Sequence, residues 1–382
     1  MIILFIILSW LLFYSFLGYF LLLKIISFLK HNPVQKGEYL PQASLLIPVY
    51  NGEKVIKDKL ENCLNLGYPQ DRLKIIVVSD SSTDRTEEIV QSFKGKGVEL
   101  LRLEKRVGKT KALNFALRDV QSELIFFTDT STLLNKDSLI KITQNFADTS
   151  VGCVSGEDRS ISNLCENAES GEGFYVKLEM KLRRLESAIG NLTGVSGCLY
   201  AIRKELLTQI PNDLIDDFYL PLQVIKQGKR VVNEPEGIAF VTRVVNFKEE
   251  FRRRRRTTLG GLEVFFSELG LLNPFKYGFF SLELLSHKFL RWLTPFILLL
   301  LLLINFVLLG EHFAFKLTFA IGLFTILSAL GYWLFMSNNK LSGFLSIFES
   351  ISYFYLVNLA ILLAWVKFLL GQREIIWEPS RR

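Results

Sequence analysis

Hydrophobic residues are concentrated at the two ends of the chain, while the middle alternates between short apolar runs and amphipathic stretches. The first apolar run, residues 2–23, is uncharged and long enough to cross the roughly 30 Å of a bilayer core. No basic residue precedes it and no small-residue cleavage site follows, so a retained anchor is predicted rather than a signal peptide. Lys24 at its end predicts that Met1 lies outside and that the following residues lie in the cytoplasm.

Three further candidate spans lie near the other end, at about 292–310, 314–336 and 344–370. The stretch Ile297–Ile304 is apolar all round, which argues against an ordinary surface helix. An anchor followed by three spans would put the tail, residues 371–382, outside. Its arginines favour the inner side, so one of the three candidates is expected to be re-entrant or interfacial. The pattern does not indicate which one.

Between the ends, β-rich apolar runs alternate with amphipathic stretches of helical period. Strands are expected at 43–49, 74–80, 98–103 and 123–129, and helices at 53–66, 84–93, 109–117 and 136–146. Repeated strand–helix units predict an α/β fold with a doubly wound, mostly parallel sheet. The strands are continuous apolar runs, as expected when helices cover both faces of the sheet.

Composition and charge refine this division. The chain has 382 residues, of which 49% are hydrophobic and 22% charged, and this excludes a disordered chain. Arg252–Arg256 account for five of the seven net positive charges. Because this run lies close to predicted spans, it is interpreted as a contact to anionic lipid, at ~1 kcal/mol per basic residue, or as a phosphate clamp. A nucleic-acid partner is not expected. Residues 262–290 are predicted to form an interfacial helix, with a core helix as the alternative.

The spacing of the cysteines, histidines and glycines argues against several common kinds of site. The four cysteines have no metal-type spacing and are expected to be reduced thiols, and the three histidines are too scattered for a zinc site. The cysteines are Cys63, Cys153, Cys165 and Cys198. Gly108–Thr110 resembles the end of a P-loop, but the glycine needed five residues earlier is Leu103. Lys109 is still well placed to meet a phosphate, because it opens a predicted helix.

Two acidic residues follow predicted strands, Asp80 after KIIVVS and Asp129 after ELIFFT. In open α/β sheets, ligands bind beyond the carboxyl ends of the strands. Core packing gives no reason for a carboxylate there. A functional role is therefore favoured for both, and two on one sheet edge strengthen the case.

Seven segments taken in order carry a family resemblance. They are IPVYNGE (47–53), VVSDSSTDRT (77–86), GKTKALN (108–114), FFTDTST (126–132), SGCLYAIRKEL (196–206), DDFYLPLQVIKQGKRVV (216–232) and FRRRRRTTLGG (251–261). Together they resemble membrane-bound family-2 glycosyltransferases, the group of the cellulose, chitin and hyaluronan synthases. The likeness is greatest to bacterial enzymes of surface-polysaccharide assembly. It implies a GT-A-type fold, a nucleotide-sugar donor that is usually a UDP-sugar, inversion at the anomeric carbon, and Mg²⁺ or Mn²⁺.

The resemblance also assigns roles to individual positions. Pro48, Tyr50 and Glu53 would line the nucleotide pocket, Asp80 would bind the base, and Lys109 would approach the phosphates. Asp129 would begin the metal and diphosphate motif. Asp216 and Asp217 would be the acidic pair whose second member is the general base, and Arg253 and Arg256 would flank the acceptor. A helix N-terminus, where acidic residues are favourable anyway, is the alternative explanation for the pair, above all for Asp216.

The implied organisation has five parts. They are an anchor at 1–30, a cytoplasmic GT-A catalytic domain at 31–250, an arginine-rich acceptor motif with interfacial helices at 251–290, about three transmembrane helices at 291–370, and a short tail at 371–382. The resemblance places the chain in a bacterial inner membrane. A lipid-linked or growing glycan would be the acceptor, and partners in polysaccharide synthesis or export are conceivable.

The sequence departs from the family pattern at two positions. Many relatives have a second acid two residues after the first, where this chain has Ser131, and a hydroxyl is a weaker metal ligand than a carboxylate. Processive synthases have a tryptophan where this chain has Thr257, so processivity is not assumed. The hypothesis is an inverting glycosyltransferase. The alternatives are a non-catalytic nucleotide-sugar-binding subunit and, less favoured, a transporter, because only Asn305 and Asn358 place polar groups well inside the terminal spans.

Overall fold

The computed structural model describes residues 1–160, 171–241, 247–335 and 346–374. Cys165, Arg381 and Arg382 lie outside these ranges, whereas Cys63, Cys153 and Cys198 form no disulfide bond within them. The described chain consists of an α/β unit with apolar helices before and after it.

In the part of the chain that the structure describes, eight strands form one sheet in the order β3-β2-β1-β4-β7-β6-β8-β5. Their bounds are β1 Ala43–Val49, β2 Leu73–Ser79, β3 Val98–Arg102, β4 Leu124–Phe127, β5 Leu133–Leu134, β6 Val151–Ser160, β7 Tyr200–Arg203 and β8 Arg230–Val241. The pairings among β1 to β4 are parallel, as is that of β6 with β8, and the other three are antiparallel. The predicted α/β class is confirmed, with a parallel first half and a mixed second half.

The helices around the sheet differ in length and in environment. They are α1 Ile2–Leu29, α2 Ile56–Leu64, α3 Thr86–Gln91, α4 Lys109–Leu117, α5 Ser138–Gln144, α6 Gly171–Ile189, α7 Asp216–Lys226, α8 Phe247–Ser267, α9 Pro274–Tyr277, α10 Phe279–Gly310, α11 Phe313–Phe335 and α12 Ser346–Leu369. Within α1 and α10 lie π-helical turns at Tyr14–Gly18 and Leu285–Phe289. Within the described ranges, four helices are long and apolar enough to cross a membrane, namely α1, α10, α11 and α12.

The central strands form because their side chains are buried on both faces of the sheet. All seven residues of β1 are buried. Leu46 packs into the core on one face, while Leu45 and Ile47 pack into the core on the other. Alternate side chains of a strand point to opposite faces, so a continuous apolar run fits a two-sided core. The predicted bounds of β1 and of α4 agree with the structure residue for residue.

A buried polar cluster joins α1 to the α/β unit. The hydroxyl of Tyr19 donates to Oε1 of Glu186 on α6 at 2.8 Å, and Nδ1 of His287 on α10 lies 2.6 Å from the same oxygen. Both Tyr19 and Glu186 have no exposed surface. Buried polar groups require such partners, so the position of α1 is fixed by specific bonds as well as by apolar contact.

The last helix, α12, lies alongside α8, and the two run in the same direction. Near their N-termini, Arg254 donates to the hydroxyl of Tyr353 at 2.6 Å. Near their C-termini, the rings of Phe266 and Phe368 stack with centroids 5.0 Å apart. The two helices are therefore in contact over about four turns.

The two halves of α12 contact two other apolar helices, α1 and α10. Phe354 packs against Phe16 of α1, close to where α1 bonds to Ser286 of α10. Eleven residues further on, Trp365 donates to the main-chain carbonyl of Trp292, also near the start of α10. α12 is thus in contact with the middle of α1 and with the first half of α10.

The chain after α12 returns to the α/β unit. Arg373 forms an ion pair with Asp213, and Glu374 accepts a hydrogen bond from Arg255 at 2.8 Å. The beginning of the tail therefore lies on the same side of the apolar helices as the sheet.

Residues 262–290 do not form one helix. They include the end of α8, the short α9 and the beginning of α10, which starts at Phe279 and thus earlier than the predicted span. Val264 and Phe265 are buried in the core of the α/β unit, whereas Leu262 packs against α12. The core-helix alternative therefore holds for the end of α8.

Candidate active site

The loops that follow β1 and β2 are bound to each other at the carboxyl edge of the sheet. The main-chain N–H of Glu53 donates to Asp84 at 3.0 Å, and the carboxylate of Glu53 accepts from the main-chain N–H of Arg85 at 3.2 Å. The guanidinium of Arg106 lies 3.7 Å from the ring centroid of Tyr50. Glu53 thus stabilises this loop pair, beside the aromatic ring of Tyr50 that the resemblance assigns to the nucleotide.

Asp80 orders the segment that leads into α4. Its two carboxylate oxygens accept the main-chain N–H groups of Val107 at 2.7 Å and of Gly108 at 2.9 Å. Gly108 has φ +93°, a conformation that glycine adopts without strain. The predicted contact of Asp80 with the base stays a prediction, and the structure adds a clear role in positioning Lys109.

Lys109 joins two carboxylates that are far apart in the sequence. Its Nζ lies 3.2 Å from Oδ1 of Asp216 and 3.3 Å from Oδ1 of Asp129. Burial by itself would lower the pKa of Lys109, but Asp216, Asp129 and Asp217 raise it above its ordinary value. The lysine therefore keeps its positive charge at the edge of the sheet where Asp80 also lies.

The two members of the acidic pair at the start of α7 have different environments. The Asp216 side chain is only 4% exposed, and its Oδ2 accepts a hydrogen bond of 2.6 Å from the hydroxyl of Tyr200. The ring of Tyr200 is itself stacked on Phe127, with centroids 4.5 Å apart. Asp216 is thus held on one side by Tyr200 and on the other by Lys109. These contacts suit a carboxylate that keeps Lys109 in position.

Asp217 has the properties of a proton acceptor. Burial raises its pKa to about 7, and the negative charges of Asp216 and Asp129 act in the same direction, while Lys109 and Lys288 act against it. A general base is most effective when its pKa lies near the working pH. The two carboxylates of the pair thus differ in their environment, and the role of Asp217 as general base stays a prediction.

The two arginines assigned by the resemblance are placed differently. Arg253 binds Glu250 on its own helix through Nε at 2.7 Å and Nη2 at 2.9 Å. Burial lowers the pKa of Arg256, and the charges of Asp129 and Asp217 oppose that effect, so Arg256 is within electrostatic reach of both. Arg256 is thus the arginine that the structure brings to the acidic edge.

A divalent ion would find a small donor set here. In the ranges that the structure covers, no group of three His, Cys, Asp or Glu side chains could hold a metal. Asp129 is 26% exposed at its side chain, and one of its oxygens contacts Lys109. Mg²⁺ is commonly held by one or two carboxylates together with substrate phosphates. Asp129, with Ser131 nearby in the chain, fits that pattern only if a diphosphate supplies further oxygens.

Sequence reasoning missed a fully buried lysine beneath the Asp129 segment. Nζ of Lys59 donates to Oγ1 of Thr128 at 2.9 Å and to the carbonyl of Thr132 at 2.6 Å, which brackets Asp129 on both sides. A signal was present, since Lys59 lies on the buried face of α2 with Ile56 and Leu60. Tyr200 and Lys288 gave no such signal, because their roles depend on contacts distant in sequence.

Comparison with known proteins agrees with this geometry. Residues 44–210 match the model of glycosyl transferase family 2, and this stretch contains most of the loops described above. The chain therefore carries a family-2 glycosyltransferase domain, which confirms the family predicted from the seven segments.

Among individual proteins, the chain is similar to "Probable glycosyltransferase YdaM" of Bacillus subtilis, with 27% identity over 237 residues that cover 58% of this chain and 55% of that protein. It is also similar to poly-beta-1,6-N-acetyl-D-glucosamine synthase of Staphylococcus aureus, with 24% identity over 244 residues that cover 62% of this chain and 58% of that one. The chain thus matches somewhat more than half the length of these relatives.

One solved structure matches nearly the whole chain. It is the mannosyltransferase PcManGT from Pyrobaculum calidifontis, in complex with GDP-Man and Mn²⁺, with a TM-score of 0.73, 24% identity, and coverage of 97% of this chain and 99% of that one. The shared fold includes the apolar helices at both ends, and it confirms the predicted GT-A-type architecture.

Proposed function

We propose that the protein is an inverting glycosyltransferase that moves a sugar from a nucleotide-sugar donor, most simply a UDP-sugar, to a glycan or lipid-linked acceptor in bacterial surface-polysaccharide synthesis. One observation carries the proposal. Asp217, with a pKa raised to about 7, stands beside a lysine that joins Asp216 and Asp129. The printed names of the relatives, a polysaccharide synthase and a mannosyltransferase, support the reaction class.

In the proposed reaction, the acceptor hydroxyl oxygen attacks the anomeric carbon of the donor sugar. Asp217 takes the hydroxyl proton as the new C–O bond forms. The bond between the anomeric carbon and the diphosphate oxygen breaks, and its electron pair leaves with the nucleoside diphosphate. Lys109 and Arg256 are placed to neutralise the charge that develops on the diphosphate. A divalent ion, Mg²⁺ or Mn²⁺, bound at Asp129 would add positive charge there.

The nucleotide is proposed to bind across the loops after β1 and β2. Tyr50 offers a ring face, Pro48 ends the strand beside it, and Asp80 fixes the segment in front of Lys109. The base would lie on the side of Tyr50 and the diphosphate on the side of Lys109. Arg253, bound to Glu250, is proposed to hold α8 in position beside the acceptor.

We also propose that the α/β unit faces the cytoplasm of a bacterial inner membrane and that α12 is the interfacial member of the apolar helices. Three observations support this placement. α12 runs along the arginine-rich α8, it contacts α10 within the half that starts at the α/β unit, and Arg373 beyond it pairs with Asp213. With three crossings, the start of the tail stays on the inner side, which suits its basic residues.

The test measures how fast the full chain, reconstituted in lipid nanodiscs, consumes the donor in a solution that contains Mg²⁺ or Mn²⁺. UDP-glucose, UDP-N-acetylglucosamine and GDP-mannose would be supplied in turn. Asp217→Asn should reduce turnover by about a hundredfold or more, because general-base catalysis contributes roughly 10²–10⁴-fold. Asp119→Asn, on the exposed surface, is the matched control. Equal turnover in both variants would contradict the role of Asp217, and donor binding without turnover in the wild type would favour a non-catalytic subunit.

A further inference from the structure

Lys288 is a cation close to the proposed base, and in the described part of the chain it forms no direct ion pair, although the charges of Glu179 and Glu186 act on it from a greater distance. It lies near the beginning of α10, where this helix leaves the α/β unit. Its Nζ lies 5.7 Å from the ring centroid of Phe218, the residue that follows Asp217. Within the described part of the chain, its ammonium group makes no hydrogen bond and has no carboxylate within 4 Å. Glu179, which faces the same segment, is bound by His287 and Arg291, both at 3.0 Å.

Two glycines allow one short segment to lie close to both Lys288 and Asp217. A Cβ atom at Gly194 would lie 3.3 Å from the ring of Phe218 and 3.8 Å from Nζ of Lys288. A Cβ atom at Gly197 would lie 2.8 Å from Oδ2 of Asp217. Because three residues span at most about 10 Å, Lys288 and Asp217 lie against the same short segment, residues 194–197.

The electrostatics agree with this proximity. The positive charge of Lys288 lowers the pKa of Asp217, which burial has raised. Burying an ammonium group that has no direct ion pair costs free energy, and an anionic ligand in contact with it would offset that cost. The donor diphosphate already has cations at the sheet edge in Lys109 and Arg256. The anion that suits Lys288 is therefore carried by the second substrate.

The position of Lys288 on α10 indicates from which side that substrate arrives. Lys288 belongs to a helix that is long and apolar enough to enter a membrane, and Phe218 beside it packs against Trp292 of the same helix, with ring centroids 6.2 Å apart. A substrate attached to a lipid would reach Lys288 from the side of this helix. The most common anionic link between a lipid and a sugar that a lysine can bind as a point charge is a phosphate.

We propose that Lys288 binds a phosphate group of a lipid-linked acceptor and so holds the acceptor's sugar hydroxyl at Asp217. This inference rests on the proposed function. In the transfer step the acceptor oxygen forms the new bond to the anomeric carbon, the donor diphosphate leaves with the electron pair of the broken bond, and Asp217 receives the hydroxyl proton. The acceptor phosphate is not consumed, and Lys288 acts only by positioning.

The experiment compares two acceptors that carry the same sugar on the same lipid, one through a phosphate and one through an ether. The full chain is reconstituted in nanodiscs of neutral phosphatidylcholine. The wild type should show a KM at least tenfold lower for the phosphate acceptor. Lys288→Met should abolish that preference, and Lys288→Arg should restore part of it. Lys276→Met, which removes an exposed lysine just before α10, is the control.

A second arm separates acceptor phosphate from bulk lipid. Replacing a third of the phosphatidylcholine with phosphatidylglycerol should leave the preference for the phosphate acceptor in place. If the anionic lipid abolishes it, or if the wild type uses both acceptors equally, the proposal is wrong. Because the positive charge of Lys288 lowers the pKa of Asp217, Lys288→Met should also move the acidic limb of the rate profile to higher pH. A loss of folding alone would not do this.

Failure of the proposed function would look different. In that case no donor is turned over with any acceptor. Binding of the phosphate acceptor without donor, measured by the thermal shift of the full chain, still tests Lys288, because a ligand that binds the native state raises its stability. An equal shift in the wild type and in Lys288→Met would overturn the inference by itself.

Discussion

Oδ2 of Asp217 lies 2.8 Å from the position that a Cβ atom at Gly197 would occupy. Real Cβ contacts are essentially never that short, so the Asp217 carboxylate has room in this position only because residue 197 is glycine. Here a side chain is excluded by the site, since φ of Gly197 is not in the left-handed region.

Replacing Gly197 with alanine should therefore displace the Asp217 carboxylate. We expect Gly197→Ala to reduce kcat at least tenfold, with a smaller effect on the KM for the donor, because misplacing a base affects the transition state more than ground-state binding. Gly190→Ala is the matched control, since a Cβ atom there meets nothing within 4 Å. Steady-state kinetics of both variants check this, and equal kcat values would show that Asp217 tolerates the displacement.

The raised pKa of Asp217 predicts an acidic limb in the rate profile. A base works in its deprotonated form, so kcat/KM should fall as the pH decreases through about 7. Because Lys109 lowers the pKa of Asp217, Lys109→Met should move the limb to higher pH in addition to weakening donor binding. Profiles from pH 5 to 9 measure both effects, and a flat wild-type profile would rule out Asp217 as the group that titrates.

Glu250 links the stability of the chain to pH. Burial alone would raise its pKa, but Arg254 and Arg253 lower it to about 2. A carboxyl group whose pKa is lower in the folded state contributes stability above its unfolded pKa and loses that contribution as the pH falls toward 2. Glu250→Gln should therefore lower the free energy of unfolding at pH 7 by roughly 1 to 3 kcal/mol, and by less at pH 3.

Thermal unfolding in detergent at the two pH values measures this difference. Glu249→Gln removes the neighbouring carboxylate, and as a surface change it is expected to alter stability by less than about 0.5 kcal/mol. If Glu250→Gln were equally destabilising at both pH values, the loss would come from packing and not from the ion pairs with the arginines.

The hydroxyl at Ser131 limits how tightly a divalent ion can be held. Ser131→Asp adds a carboxylate two residues after Asp129, and carboxylates are better ligands for Mg²⁺ and Mn²⁺ than hydroxyls. The concentration of Mn²⁺ that gives half-maximal donor binding should fall several-fold. Ser92→Asp adds the same charge to an exposed position away from the site. If both variants respond alike, the effect reflects net charge and not ligation.

The first half of the sheet could be predicted because its signals are local. β1, β2 and β4 are continuous apolar runs, and Asp80 and Asp129 follow two of them directly. A parallel sheet brings the carboxyl ends of its strands to one edge, so their proximity required no knowledge of side-chain contacts.

Other features could not be predicted, because they depend on contacts between distant segments. The difference between Asp216 and Asp217 arises from Tyr200 and Lys109, which lie elsewhere in the chain. The apolar sequence of α12 identifies it as a candidate span, but it does not indicate how deeply the helix enters the membrane. Its placement along α8 follows from partners such as Arg254.

The bond between Tyr19 and Glu186 also limits how this protein can be engineered. If residues 1–29 were removed or exchanged for an unrelated apolar helix, Oε1 of Glu186 would lose its phenol partner and keep only His287, while its Oε2 already lacks a hydrogen bond in the described part of the chain. An unsatisfied buried carboxylate costs more than an average loss of apolar contact. The first helix is therefore a specific component of the folding unit, and a water-soluble version of the enzyme would have to redesign position 186 before omitting it.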